Sequence, residues 1–83
     1  MLKVGIIGVG VMGAGHARFI KEHVPKARVV ALFDIDTQKI AALAEELGTV
    51  TIQTTDAETL MNHPDVDAVI IDSMGADLVA RTL

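Results

Sequence analysis

Two patterns of apolar residues, one typical of buried strands and one typical of helices, alternate along this chain. Segments rich in apolar and β-branched residues, with the length of buried strands, cover residues 2–7, 29–33, 50–53 and 68–71. Each is followed by a segment with helical spacing or helix-start signals, and these segments cover residues 12–23, 37–47, 55–62 and 76–83. The predicted order of elements is therefore β-α-β-α-β-α-β-α.

Residues at the helix ends and on the apolar helix faces refine this prediction. Asp36 is expected to cap the second helix, and Gly48 to end it in a left-handed backbone conformation. Thr55 and Glu58 have the spacing of a capping box at the start of the third helix. The apolar residues expected to face the core from the first two helices are Met12, Ala17, Phe19, Ile20 and Val24, and then Ile40, Leu43, Ala44 and Leu47.

Strands that are joined through helices pair in parallel, through right-handed crossovers. The expected fold class is α/β, with a parallel sheet of strand order 3-2-1-4 and helices on both faces. No linker or internal repeat interrupts the pattern, so residues 1–83 are expected to form one domain. Because the pattern ends inside a helix, we expect this domain to be incomplete at its C-terminal end.

Composition excludes several classes of partner. The formal net charge is −4 and the basic residues are scattered, which argues against a nucleic-acid partner. The apolar runs are too short to span a bilayer, so no membrane partner is expected. The chain has no cysteine, which excludes disulfides and thiolate chemistry and is compatible with a cytoplasmic location. Its three histidines lack metal-ligand spacing, so no metal site is predicted.

A glycine-rich segment after the first predicted strand carries the chemistry. It reads Gly-Val-Gly-Val-Met-Gly, and this G-x-G-x-x-G pattern leads directly into a predicted helix. Gly8 allows a tight turn, Gly10 lets a pyrophosphate approach the backbone, and Gly13 lets the helix pack closely on the sheet. The helix N-terminus offers N–H groups to phosphate. The pattern predicts a Rossmann-type dinucleotide site; the alternative is a glycine-rich turn that binds another nucleotide or none.

An acidic residue follows the second predicted strand at the position that such a site requires. Asp34 lies about 20 residues beyond the glycines, where its carboxylate would accept hydrogen bonds from the adenosine ribose and repel a 2′-phosphate. Asp36 adds to that repulsion, so the expected cofactor is NAD rather than NADP. Ser73, after the fourth strand, is a further candidate. The predicted cofactor-binding residues are Gly8, Gly10, Val11, Met12, Gly13, Asp34, Ile35 and Ser73.

Four stretches of the chain resemble the N-terminal domain of the glucose–fructose oxidoreductase / inositol dehydrogenase (Gfo/Idh/MocA) family. They cover residues 4–13, 29–34, 41–48 and 63–71. The last, His-Pro-Asp-Val-Asp-Ala-Val-Ile-Ile, is more specific than the glycine motif. Members similar to inositol 2-dehydrogenase fit best with an aspartate at position 34. After the fourth strand this chain departs from the family, which has Ala-Thr/Ser-Pro and then a histidine where this chain has Asp-Ser-Met-Gly.

The resemblance implies an NAD-dependent oxidoreductase that transfers a hydride between the nicotinamide and a sugar or polyol alcohol such as myo-inositol. It also implies a missing C-terminal substrate domain and a homo-oligomeric full-length protein. The family's Glu-Lys-Pro motif and its other catalytic residues would lie beyond Leu83. We therefore name no catalytic residue and expect the 83-residue chain alone to be inactive.

Two other functions stay open from the sequence. The first is a stand-alone nucleotide-binding or sensor module without catalysis. The second is a dehydrogenase of the same fold that acts on another class of substrate, such as an amino acid or a biliverdin-like molecule.

Overall fold

The structure, a computed structural model, describes residues 1–71. It contains, in chain order, β1 (Leu2–Ile7), α1 (Val11–His23), β2 (Ala27–Phe33), α2 (Thr37–Leu47), β3 (Ile52–Thr54), α3 (Ala57–Met61) and β4 (Ala68–Ile71). The helix predicted at residues 76–83 and the candidate Ser73 lie outside the described residues. Within those residues, the predicted alternation of strands and helices is confirmed.

The four strands form one parallel sheet in the order β3-β2-β1-β4, as predicted. The strand β1 pairs with β2 on one side and with β4 on the other. The chain order therefore reverses at β1, and in an open α/β sheet this is where ligands bind, beyond the carboxyl ends of the strands. Because Ile7 pairs with Phe33, the segments after β1 and β2 leave the sheet side by side.

Helices cover both faces of the sheet. The helices α1 and α2 share one apolar cluster with the sheet, and α3 packs on the other face, where Leu60 is fully buried. The helix α2 keeps its predicted bounds. Asp36 caps it, its Oδ1 accepting the Gln38 N–H at 3.0 Å, and Gly48 ends it with φ 73°. Only glycine adopts that conformation without a steric cost.

One extra residue in β2 changes which side chains face each layer. The register with β1 passes from Val4 opposite Val29 to Gly5 opposite Ala31, so Val30 is unmatched. As a result Val30 and Ala31 both face α3, whereas Leu32 faces α1 and α2. If the side chains of β2 alternated strictly between the two faces of the sheet, Leu32 would face α3 instead.

The predicted core face of α1 is partly wrong. Ala17 and Ile20 are buried and Val24 packs against the core, but Met12 is 68% and Phe19 58% exposed. The buried residues Gly13, Ala17 and Ile20 recur at steps of four and three, and this stripe faces the sheet. Met12 and Phe19 each lie one residue from that stripe, about 100° around the helix.

Several predicted boundaries and one predicted cap are also corrected: α1 starts at Val11 rather than residue 12, and α3 covers Ala57–Met61 instead of residues 55–62. The strand β2 begins at Ala27, before the predicted residue 29, and β3 covers Ile52–Thr54 instead of residues 50–53. The capping box of Thr55 and Glu58 is wrong. Asp56 caps α3, and its Oδ1 accepts the Glu58 N–H at 3.1 Å. An aspartate directly before the first helical residue supplies this acceptor without the threonine.

Gly5 sets how closely α3 approaches the sheet. A Cβ at this position would lie 2.6 Å from Leu60 Cδ2 and 3.2 Å from Val66 Cγ1. We expect Gly5→Ala to lower the free energy of unfolding by about 1–3 kcal/mol, because the fully buried Leu60 side chain would have to shift within a packed apolar cluster. Chemical denaturation measures this effect. Gly15→Ala, at an open position of α1, is the matched control; a Gly5→Ala chain as stable as the parent would disprove the close fit.

Candidate cofactor-binding site

The glycine-rich turn leaves the sheet directly from the end of β1. The Gly8 N–H donates to the Phe33 carbonyl at 2.9 Å, so the pairing with β2 extends into the turn. Gly8 has φ 95°, a value that side-chain-bearing residues rarely adopt. The chain then reverses, buries the Val9 side chain in the core, and starts α1 at Val11. The predicted strand–turn–helix context of the motif is confirmed.

The N-terminus of α1 is open to a ligand. Gly10 precedes the helix, no side chain among residues 1–71 caps it, and its first turn contains no acidic residue. The N–H groups of the first turn have no acceptor inside the helix because of helix geometry. A Cβ at Gly10 would meet no atom of the described residues within 4 Å, and Val11 beside it is 92% exposed. This cradle fits a pyrophosphate, which needs donors, partial positive charge and close access to the backbone.

The structure brings Asp34 against the glycine turn. Its Oδ2 accepts the Val9 N–H at 2.9 Å, and its Oδ1 accepts the Asp36 N–H at 3.0 Å. A carboxylate has about four lone-pair sites, so each oxygen retains capacity for a ligand hydroxyl. Ile35 follows with its side chain 87% exposed. The proposed ribose acceptor and the proposed phosphate cradle are therefore adjacent.

The backbone around Asp34 favours its charged form. Partial burial acts to raise the pKa of the Asp34 carboxyl, but the N–H groups of Asp36, Val9 and Ile35 and the charge of Lys39 outweigh it. The pKa of Asp34 is therefore lowered from its ordinary value of 3.8. At neutral pH the carboxylate acts only as an acceptor, which suits ribose hydroxyls and opposes phosphate.

The lowered pKa of Asp34 predicts a pH dependence of stability. A group whose pKa is lower in the folded state stabilises the fold above its unfolded pKa, and this contribution is lost as the pH falls through the folded pKa. We therefore expect the free energy of unfolding to fall less in Asp34→Asn than in the parent chain when the pH is lowered from neutral to about pH 3. Glu46, whose pKa the Arg18 side chain lowers by a hydrogen bond and by its charge, contributes equally to both proteins. The free energy of unfolding is measured by chemical denaturation at several pH values in this range. An equal decline in the two proteins would contradict the prediction.

Sequence reasoning missed a polar groove beside this site. It has a volume of about 380 Å³ and is lined by Thr37, Ile40, Gln53, Thr54 and Thr55. The groove lies between the start of α2 and the end of β3. No pattern in the sequence could reveal it, because its walls come from separate segments that meet only in the fold.

Two further findings concern the part of the chain that the structure describes. Among residues 1–71, no group of three or more histidine or acidic side chains is placed to hold a metal ion. Each helix within this range is too short or too polar to cross a membrane.

Comparison with known proteins agrees with this geometry. The family described as "Oxidoreductase family, NAD-binding Rossmann fold" matches residues 2–78. The chain belongs to the Gfo/Idh/MocA oxidoreductase family. This confirms the resemblance drawn from the four sequence stretches, the Rossmann-type fold and the NAD-binding character of the domain.

Similar proteins of this family include several inositol dehydrogenases. Inositol 2-dehydrogenase 2 of Paenarthrobacter aurescens (strain TC1) is 41% identical over 81 residues, which are 94% of this chain and 24% of that protein. Inositol 2-dehydrogenase 1 of Saccharopolyspora erythraea is 40% identical over 72 residues, covering 87% of this chain and 21% of that protein. The chain thus spans about a quarter of the length of the curated relatives that it matches.

Solved structures show the same relationship. The myo-inositol dehydrogenase of Lactobacillus casei, crystallised in complex with NAD(H) and myo-inositol, superimposes with a TM-score of 0.83 at 34% identity. The match covers 90% of this chain and 22% of that one. The fold class inferred from the sequence is therefore found in an NAD-binding relative.

Proposed function

We propose that this chain is the NAD-binding part of an inositol dehydrogenase. The whole protein would oxidise a ring hydroxyl of an inositol to a ketone, or catalyse the reverse reduction. One observation carries the proposal: the Asp34 carboxylate accepts the Val9 N–H at 2.9 Å, directly beside the uncapped start of α1. A ribose acceptor next to a phosphate cradle matches the adenosine half of NAD. The names of the similar proteins support inositol as the substrate class.

Each predicted site residue has a proposed role. Gly8, Gly10 and Gly13 give the turn its shape and its access, and the backbone of Val11 and Met12 faces the pyrophosphate. Asp34 accepts the ribose hydroxyls. The exposed apolar side chain of Ile35 would cover the adenosine. Ser73 remains a predicted contact from its place after β4 and lies outside the described residues.

The preference for NAD over NADP follows from charge. A 2′-phosphate would approach an ionised carboxylate whose two oxygens are already held by the amides of Val9 and Asp36. The carboxylate cannot turn away without losing those hydrogen bonds, so the repulsion would persist. The lowered pKa of Asp34 also opposes relief of this repulsion by protonation.

When bound, NAD supplies the hydride acceptor for alcohol oxidation. The residues of this chain would bind and orient it and would keep its adenosine end fixed. We propose that residues 1–83 are one dinucleotide-binding domain that is incomplete here, and that a further domain supplies the substrate site and the proton-transfer groups. A cytoplasmic location and a homo-oligomeric full-length protein are further proposals, which rest on the absence of cysteine and on the family resemblance respectively.

Titration calorimetry with NAD, and separately with NADP, tests the cofactor proposal. The chain has no Trp and no Tyr, so intrinsic fluorescence is a poor probe. We expect saturable NAD binding and weaker NADP binding. A chain shown by circular dichroism to be folded that binds neither cofactor, or that prefers NADP, would refute the proposal. The substrate class is tested by NADH formation from the full-length protein with myo-inositol, compared with amino-acid substrates.

A further inference from the structure

One carboxylate links two parts of the cofactor site that are distant in sequence. The Val9 N–H and the Asp34 Oδ2 atom that accepts it are 25 positions apart, and the hydrogen bond between them is partly buried. The second oxygen of the same carboxylate accepts the Asp36 N–H, so the carboxylate also holds the backbone just before α2. The Gly8 N–H is already used by the Phe33 carbonyl. Asp34 is thus the acceptor that holds the middle of the glycine turn.

We propose that Asp34 is also a positioning residue for the glycine turn, which it holds in its phosphate-binding shape before any cofactor arrives. The ribose and pyrophosphate subsites would then be coupled through a single side chain. This inference rests on the proposed function, because it concerns how the same site is organised.

Within residues 1–71, few other contacts could hold the turn in this shape. Val9 is flanked by two glycines, whose backbone freedom is large. The Gly8 N–H and the buried Val9 side chain hold the start of the turn, and the Val9 N–H is a third point of attachment. Hydrogen bonds to an ionised acceptor are stronger than bonds between neutral groups. A partly buried amide without an acceptor raises the free energy of the conformation that buries it. Removal of the carboxylate would therefore release the turn.

The sign of one binding change separates this role from ribose contact alone. Consider a diphosphate ligand without ribose hydroxyls, 2′,3′-dideoxy-ADP. If Asp34 only contacts the ribose, its removal leaves binding of this ligand unchanged or makes it tighter, because a negative charge near the phosphates disappears. If Asp34 positions the turn, the same removal weakens binding. The two roles predict opposite directions.

The experiment is an NMR titration of the parent chain, Asp34→Ala and Asp34→Asn with ADP and with 2′,3′-dideoxy-ADP. We expect Asp34→Ala to bind dideoxy-ADP about tenfold more weakly than the parent chain, the loss typical of one hydrogen bond to a charged group. Asp34→Asn is equally uncharged but keeps one carbonyl acceptor, so it should recover much of that affinity. Equal or tighter binding of dideoxy-ADP by Asp34→Ala would overturn the inference and leave the proposed function standing.

Hydrogen exchange in the ligand-free chain gives a second readout that does not depend on binding. We expect the Val9 amide to exchange about tenfold faster in Asp34→Ala while the amides of β1 and β2 stay protected. If Asp34→Ala does not fold, Asp34→Leu takes its place, because leucine has a similar size and no acceptor oxygen. Unchanged protection of the Val9 amide in the variant that folds would overturn the inference. A parent chain that binds no nucleotide would refute the proposed function and leave this exchange test valid.

Discussion

Asp34→Ala is expected to weaken NAD binding by between about tenfold and about a hundredfold and to remove most of the discrimination against NADP. Hydrogen bonds to a charged acceptor contribute about 1.5–3 kcal/mol each, and the variant loses those to the ribose as well as the tie to Val9. Binding of NADP should suffer less, because the repulsion between the carboxylate and the 2′-phosphate disappears with the side chain. Calorimetry with both cofactors measures the two affinities and their ratio.

The matched control for this variant is Asp65→Ala. Asp65 is likewise a carboxylate, but it is exposed and lies before β4, and its side chain comes no closer than 3.9 Å to Lys3 Nζ. Its removal should leave both cofactor affinities unchanged. An unaltered NAD/NADP ratio in Asp34→Ala would remove Asp34 from the ribose site.

Gly10→Ala is expected to abolish most NAD binding without destabilising the fold. Gly10 has φ −70° and ψ −164°, an extended conformation open to any residue, and the space around its Cβ position is empty of described atoms. Stability should therefore stay within about 0.5 kcal/mol of the parent. The added methyl group would occupy the space that the pyrophosphate needs and separate it from the N–H groups of α1. We expect a loss of affinity of at least about tenfold, the equivalent of one charge-assisted hydrogen bond.

Gly15→Ala provides the comparison within the same helix. Its Cβ would also meet open space, but it lies one turn further along α1. Replacing this helical glycine should raise stability by about 0.5–1 kcal/mol and leave NAD affinity unchanged. If Gly10→Ala binds NAD as the parent does, the pyrophosphate does not lie over Gly10.

Features that depend on neighbouring residues could be predicted well. The bounds of α2 are one example. They follow from the residues of the helix itself and from its two neighbours in the sequence, the Asp36 cap and the terminal Gly48. The strand order 3-2-1-4 followed from the alternation of strands and helices, because crossover handedness and parallel pairing leave few arrangements. The family resemblance was equally accessible, since it rests on continuous stretches of sequence.

Features that depend on packing between distant segments could not be predicted in this way. Hydrophobicity alone suggested Met12 and Phe19 for the core, whereas the small residues Gly13 and Ala17 determine which stripe of α1 meets the sheet. The sequence around the unmatched Val30 does not reveal the shift in register, because an apolar run looks the same whether or not the strand contains an extra residue. The spacing of Gly5 from Leu60 is also set only when α3 docks.

The same division holds for the cofactor site. Its residue types could be identified without a structure: a glycine turn that opens a helix, and an acidic residue about 20 positions later at the end of a strand. The hydrogen bond from the Val9 amide to the Asp34 carboxylate, which joins the two motifs into one candidate site, could be seen only in the folded chain. Local contacts encode the backbone conformation of each motif, whereas this hydrogen bond forms only once β1 and β2 have paired and brought both segments to the same edge of the sheet.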